Sequence, residues 1–216
     1  MPLQDVDITF DETPLADDVA ELIRVANLRL LRFLGNKGPE QTPGFVPSDP
    51  AMVFRTLRQL VERELLTGNS FCEWGSGFGT ATCIAANLGL EAFGIEIESE
   101  LVNTARTLAS DFAVSAEFVQ GSFVPSSRRA LLEEAYEDNI GRYAWLRNNA
   151  GDAYAKLGRE LESFDVVFVY PWPGEEYFIE QLFNSCAAQD AVLLMYSECS
   201  SLSIRRKQAV LDNSQR

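Results

Sequence analysis

An α/β fold, with a doubly wound and mostly parallel sheet, is what this 216-residue sequence predicts. From about position 70 onward, short apolar runs alternate with amphipathic stretches of helical period, at the length of strand–helix–strand units. A glycine-rich turn, Gly75 to Gly79, stands where the first of those runs gives way to a helix. The composition, 46% hydrophobic and 23% charged, is that of a globule able to bury a core.

Residues 1–69 read as a helical extension. Val6, Ile8 and Phe10 alternate with Asp7 and Thr9, as in a short strand or extended arm. Val19, Leu22, Ile23, Ala26, Leu30, Leu31 and Leu34 recur at three- and four-residue spacing, which predicts a helix over 15–34, ended by Gly35 and Gly38-Pro39. After a connector carrying Pro43, Gly44 and Pro47, Asp49-Pro50 supplies a cap and first turn for a second helix through Val53, Leu57, Leu60, Val61 and Leu65.

Residues 70–198 form the expected core, with strands over 71–74, 92–96, 117–120, 165–170 and 191–196 and helices over 80–90, 100–109 and 175–185. A polar, helix-prone insertion over 126–163 precedes the fourth strand; Tyr136, Tyr143, Trp145 and Tyr154 suit core or lid packing there. The tail, 199–216, has room for one short strand at Leu202–Lys207, so a reduced C-terminal sheet edge is expected on a single domain. The basic runs Arg128-Arg129 and Arg205-Arg206-Lys207 read as solvated faces.

Charge and residue usage narrow the chemistry. With 32 acids against 18 bases the formal charge is −14, which disfavours a groove for double-stranded nucleic acid and favours neutral or cationic partners. The chain has no histidine, so imidazole bases, Ser-His-Asp and Cys-His systems and His-ligated zinc are excluded. The four cysteines, Cys72, Cys83, Cys186 and Cys199, form no C-x-x-C pair and read as buried thiols; no metal site is expected. Residues 1–14 carry acids instead of a basic, apolar leader, and no apolar run approaches the roughly 18 residues of a membrane span, so a cytoplasmic location with no membrane partner is expected.

The informative segment is Glu73-Trp74-Gly75-Ser76-Gly77-Phe78-Gly79. Its spacing does not fit G-x-G-x-x-G in either register, because Thr80 and Thr82 fall at the sixth positions. Glu96 ends the second expected strand 21 positions after Gly75, near the interval of about 20 residues at which a carboxylate meets adenosine ribose hydroxyls. Together E-x-G-x-G-x-G and Gly94-Ile95-Glu96 resemble the class I S-adenosylmethionine-dependent methyltransferases over roughly 71–196. The resemblance implies a Rossmann-like fold and S-adenosylmethionine as cofactor. Gly75, Gly77 and Gly79 would cradle it with Glu73 toward its methionine end; Glu96 and Ile97 would lie at the ribose, and Ser122 and Phe123, where the family often has Gly-Asp, would border the adenine. Tyr170-Pro171-Trp172-Pro173 is similar to the family's acceptor loop, Asn/Asp-Pro-Pro-Tyr, with Tyr170 and Trp172 replacing the first and third residues.

On this reading the protein is an enzyme moving a methyl group to a small-molecule or amine-bearing acceptor. Tyr170, Trp172 and Glu175 are the candidate catalytic residues, the rings for stacking and the acid for attracting a cation or taking its proton. Methyl transfer from a sulfonium needs positioning more than proton chemistry, so the missing imidazole is no obstacle. Two alternatives stay open: an aminopropyltransferase-like enzyme using decarboxylated S-adenosylmethionine, and a non-catalytic cofactor-binding module acting through a protein partner. The sequence leaves oligomeric state open.

Overall fold

The computed structural model describes residues 3–8, 13–37, 48–131, 151–197 and 201–208. Seven strands, β1 (Leu3–Asp5), β2 (Ser70–Trp74), β3 (Glu91–Glu96), β4 (Ala116–Gln120), β5 (Val166–Val169), β6 (Val192–Tyr196) and β7 (Leu202–Lys207), form one sheet in the order β1-β7-β6-β5-β2-β3-β4. Strands β2 to β6 run parallel; β7 is antiparallel to β6, and β1 antiparallel to β7. Helices α1 (Asp17–Lys37), α2 (Pro50–Glu62), α3 (Thr80–Asn87) and α4 (Ser99–Asp111) contribute to the core on one face, and α5 (Ala153–Leu157) and α6 (Glu176–Cys186) to the core on the other.

The two-residue period of a strand divides the core. Phe71, Phe168, Val192 and Leu194 belong to the cluster under α1–α4, whereas Cys72, Trp74, Val167, Val169 and Leu193 belong to the cluster under α5 and α6. Both faces are therefore covered, which is why these strands read as unbroken apolar runs. Gly94 has a steric reason: a Cβ there would lie 2.5 Å from the ring of Phe118 on the neighbouring strand β4. The second helix starts as its sequence predicts, with Asp49 Oδ1 accepting from the amides of Ala51 at 2.9 Å and Met52 at 3.3 Å.

Among the described residues the C-terminal side contributes one strand, β7, and beyond its pairing with β6 Ser197 N donates to Ser201 O at 2.9 Å. The N-terminal arm completes this edge, since β1 pairs with β7 and Val6 N continues the ladder to Ile204 O at 2.8 Å. The strand thus precedes the stretch where alternation suggested it; Phe10 lies outside the described residues. The bases of β7 are fastenings and not a solvated face. Arg205 donates to Glu180 Oε1 at 2.7 Å, Arg206 to the carbonyls of Leu65 at 2.5 Å and Asp190 at 3.2 Å, and Lys207 to Ala187 O at 2.5 Å. Arg128 likewise is half-buried, its Nε donating to Cys186 Sγ at 3.1 Å.

Of the insertion, Tyr136, Tyr143 and Trp145 fall outside the described residues, while its end folds back: Ser122 bridges Asp152, and α5 buries Ala153 and Tyr154. Cys72, Cys83 and Cys186 are buried free thiols; Cys199 is outside the described residues. Among those residues no helix is long and apolar enough to cross a membrane.

Candidate functional site

The strand order places a topological switch between β2 and β5, because the chain leaves β2 toward β3 and β4 and resumes on the opposite flank. At such a point the carboxyl ends of two neighbouring strands open a crevice. Here that crevice is an open cleft of about 590 Å³, counted with the solvent in its mouth. Glu73 lines it from β2, Gly75, Ser76 and Gly77 from the turn that follows, Tyr170 from the turn after β5, and Asn27 from α1.

The glycines of the turn have distinct tasks. Gly75, Gly77 and Gly79 all adopt left-handed backbone, with φ of +71°, +52° and +72°. A Cβ on Gly75 would meet nothing within 4 Å, so that side of the turn is open to a ligand. A Cβ on Gly79 would lie 2.5 Å from the Phe118 ring and 2.7 Å from Ala105 Cβ. Gly79 therefore lets α3 pack closely.

Glu96, at the end of β3, reaches the turn. Its Oε2 accepts from Gly77 N at 2.9 Å, and its Oε1 accepts from Ile97 N at 2.6 Å and Glu98 N at 2.9 Å. A carboxylate offers about four lone-pair positions, so these three amides leave room for about one further donor. Burial pushes the Glu96 carboxyl above its ordinary value, partly offset by the three amides.

Glu73 shares the sheet face of Phe71 and so points under α3. Its Oε2 accepts from Thr82 N at 2.9 Å and Thr82 Oγ1 at 2.5 Å, on the first turn of that helix. Burial pushes its carboxyl up to about 8, the Thr82 bonds oppose the shift and the Glu96 charge adds to it. The serine between the first two glycines is also buried, and its hydroxyl has no hydrogen-bond partner among the described residues.

Beyond β4, the Ser122 hydroxyl accepts from Val124 N at 3.1 Å, and Ser122 N donates to Gly151 O at 2.8 Å. Phe123 stacks on Trp74 with centroids 5.1 Å apart and planes within 6°. At the other flank, Tyr170 meets Tyr196 edge-on at 4.9 Å, and Trp172 is 38% exposed. Glu175, 3% exposed, folds back into its own turn: Oε2 accepts from Trp172 N at 2.9 Å, while the buried Oε1 has no partner among the described residues. Burial pushes Glu175 up to about 7, the Trp172 amide opposing and the neighbouring Glu176 adding. The acid is thus buried within its own turn.

Sequence reasoning brought Glu73, Gly75, Gly77, Glu96 and Tyr170 to one place. It missed Asn27, which sits in a helix read only for its apolar stripe, and Thr82, whose spacing from Glu73 carries no motif. Among the described residues no His, Cys, Asp and Glu cluster could hold a metal ion.

No family model matches the sequence, and no curated protein matches it. Solved structures match its fold. A methyltransferase from Geobacter sulfurreducens superposes with TM-score 0.50 at 16% identity, covering 85% of this chain and 75% of its own. An O-methyltransferase from Bacillus cereus, in complex with SAH, gives TM-score 0.50 at 14% identity over 85% of this chain and 67% of its own. An RNA methyltransferase from Salinibacter ruber, in complex with S-adenosyl-L-homocysteine, gives 0.49 at 18% identity over 74% and 92%. With its parallel sheet, covered faces and antiparallel edge, the chain has the fold of the class I S-adenosylmethionine-dependent methyltransferases.

Proposed function

We propose that the protein binds S-adenosylmethionine in the cleft at the β2–β5 switch and transfers its methyl group to an amine-bearing small molecule. The observation that carries this reading is the contact of Glu96 with the Gly77 amide at 2.9 Å, beside a glycine turn whose Gly75 side is open. A nucleoside lying over that turn presents a ribose hydroxyl to the remaining acceptor position of Glu96, with Ile97 beside it and the adenine toward Ser122 and Phe123. Phe123 is braced by the Trp74 indole, so its ring is held as a wall. The other end of the cofactor then falls in the cleft with Glu73 and Tyr170.

The cofactor, when bound, supplies an already activated methyl group. The chain has to place a nucleophile in line with it and exclude water. Tyr170 lines the cleft, Trp172 two residues on exposes its ring for an acceptor, and Glu175 holds their turn in shape through the Trp172 amide. The unpartnered Oε1 of Glu175, on a carboxyl titrating near 7, is suited to accept a proton from an ammonium on its way to becoming a nucleophile. No lysine or arginine lines the cleft among the described residues, and the chain carries a charge of −14. Both features favour an amine over a polyanion such as RNA.

The test is incubation of the protein with methyl-labelled S-adenosylmethionine and a small-molecule extract, in parallel with an RNA fraction, read by mass spectrometry. Label in an amine-bearing metabolite supports the reading; label in RNA overturns the acceptor class. Cofactor binding with no labelled product favours the binding module, and transfer of an aminopropyl group from the decarboxylated cofactor favours the transferase alternative.

A further inference from the structure

We infer that Phe118, on the outer strand β4, is a positioning residue for the proposed cofactor: its ring seats the glycine turn and so fixes the Gly77 amide against Glu96. Phe118 is 2% exposed and is not among the residues lining the cleft, so it acts through the backbone of the turn. The inference rests on the proposed binding of S-adenosylmethionine at that turn.

Strand register builds the seat. Glu73 on β2 is paired with Gly94 on β3, and Gly94 with Phe118 on β4, so the three positions form one row on the sheet face covered by α3 and α4. The middle position has no side chain, and the Phe118 ring leans into the space. A Cβ on Gly94 would lie 2.5 Å from its Cδ1 and 2.9 Å from Ser76 Cβ. The same ring extends to the end of the turn, where a Cβ on Gly79 would lie 2.5 Å from its Cε1, 2.6 Å from its Cζ and 2.7 Å from Ala105 Cβ on α4. Two glycines on different elements thus vacate one volume, and a single ring fills it. Close packing keeps the ring there, and Arg106 Nη2 pins its backbone by donating to Phe118 O at 2.6 Å.

The turn uses this seat because its backbone ties run to β3. Gly75 N and Ser76 N both donate to Ile95 O at 2.9 Å, and Gly77 N donates to Glu96 Oε2 at 2.9 Å. Toward β4 the turn is supported by the Phe118 ring, against which Gly79 packs. A smaller side chain at 118 leaves a hollow that its surroundings close only in part. Hydrogen bonds weaken steeply with misalignment, so a small sinking of the turn disturbs the contact between Gly77 and Glu96, and with it the acceptor position proposed for the ribose.

The experiment is calorimetric titration with S-adenosylhomocysteine, alongside thermal unfolding, of the full chain, Phe118→Leu and Phe183→Leu. The last is the same truncation in the core under α6, on the other face of the sheet. The expected result is a comparable fall in unfolding temperature for the two variants and a loss of about tenfold in affinity for Phe118→Leu alone. Phe118→Met, which keeps more of the volume, replaces the leucine variant if that chain does not fold. Rescue gives a second readout: Gly94→Ala weakens binding in the parent, but added to Phe118→Val its methyl refills the vacated space and restores part of the affinity. Undiminished affinity in Phe118→Leu, equal losses in both leucine variants, or a Gly94→Ala effect that is the same in both backgrounds would overturn the role of Phe118. If the parent chain binds no S-adenosylhomocysteine, the cofactor reading itself fails and takes this inference with it.

Discussion

Replacing Glu96 with glutamine tests the central contact with one atom changed. The carboxylate serves Gly77 N through Oε2, and Ile97 N and Glu98 N through Oε1. Glutamine keeps its carbonyl oxygen where two amides converge, which turns its NH₂ toward the Gly77 amide, donor against donor at 2.9 Å. One charge-assisted bond is lost and one amide loses its acceptor, a cost of about 1–3 kcal/mol to the local structure. Relief of the desolvation that raises the Glu96 carboxyl offsets part of this, so the global unfolding temperature falls by a few degrees at most. The proposed ribose contact suffers more, because the position proposed to face the nucleoside changes from acceptor to donor. Losing a hydrogen bond to a charged group is worth about 1.5–3 kcal/mol, or about 10- to 150-fold in affinity for S-adenosylhomocysteine. Alanine is the poorer probe, since it strips all three amides of their partner at once. Calorimetric titration alongside thermal unfolding reads both effects. A Glu96→Gln variant that unfolds near the parent temperature and binds with undiminished affinity would refute the placement of the ribose.

Further expectations follow from the buried acids and the packing. Glu73 titrates near 8 in the fold against an ordinary 4.5, so between those values the folded protein keeps a proton that the unfolded chain has released. Its contribution to stability is present below pH 4.5 and lost as pH rises toward 8, by up to about 1.4 kcal/mol per unit; Glu73→Gln should therefore gain in unfolding temperature over the parent as pH increases, and a constant difference would count against the buried acid. Should Glu175 take the acceptor's proton, the transfer rate rises with pH through about 7 and then levels, while Glu175→Gln, which still holds the Trp172 amide through its carbonyl, is slower and lacks that rise. Trp172→Ala should leave S-adenosylhomocysteine binding unchanged and raise the KM for the acceptor, because the ring, 38% exposed, is proposed to face the acceptor; weakened cofactor binding would move Trp172 out of the acceptor side. Gly94→Ala drives a Cβ to 2.5 Å from the Phe118 ring and should cost about 1–3 kcal/mol, lowering the unfolding temperature by about 2–12 °C by circular dichroism.

The legible part of this molecule was local. The strand-to-helix turn at Gly75, the acid ending β3, the Asp49 cap of α2 and the alternation of elements all follow from backbone sterics, capping and periodicity, which act over a few residues. These set the fold class, and the resemblance placed Glu96 beside the glycine turn, where its carboxylate accepts from Gly77 N. Element ends shifted by only a few residues, as at α1, expected over 15–34 and found at Asp17–Lys37.

What local rules could not reach was decided by packing between distant segments. That β1 closes the sheet beside β7, about 200 positions later, follows from an edge strand whose backbone groups need partners, and no spacing in the sequence announces it. The basic run of β7 looked solvated because charge alone does not reveal that carbonyls at positions 65, 187 and 190 lie within reach. The burial of Glu175 comes from its turn folding over it, which residue type and spacing do not announce. By itself the sequence determined which backbone would turn, since that depends on neighbours along the chain, whereas the meeting of Glu96 with the turn is made by the pairing of β2 with β3. The tertiary structure decided which side chains lost their water, and with it their titration and their free hydrogen-bonding atoms, because burial belongs to the whole fold.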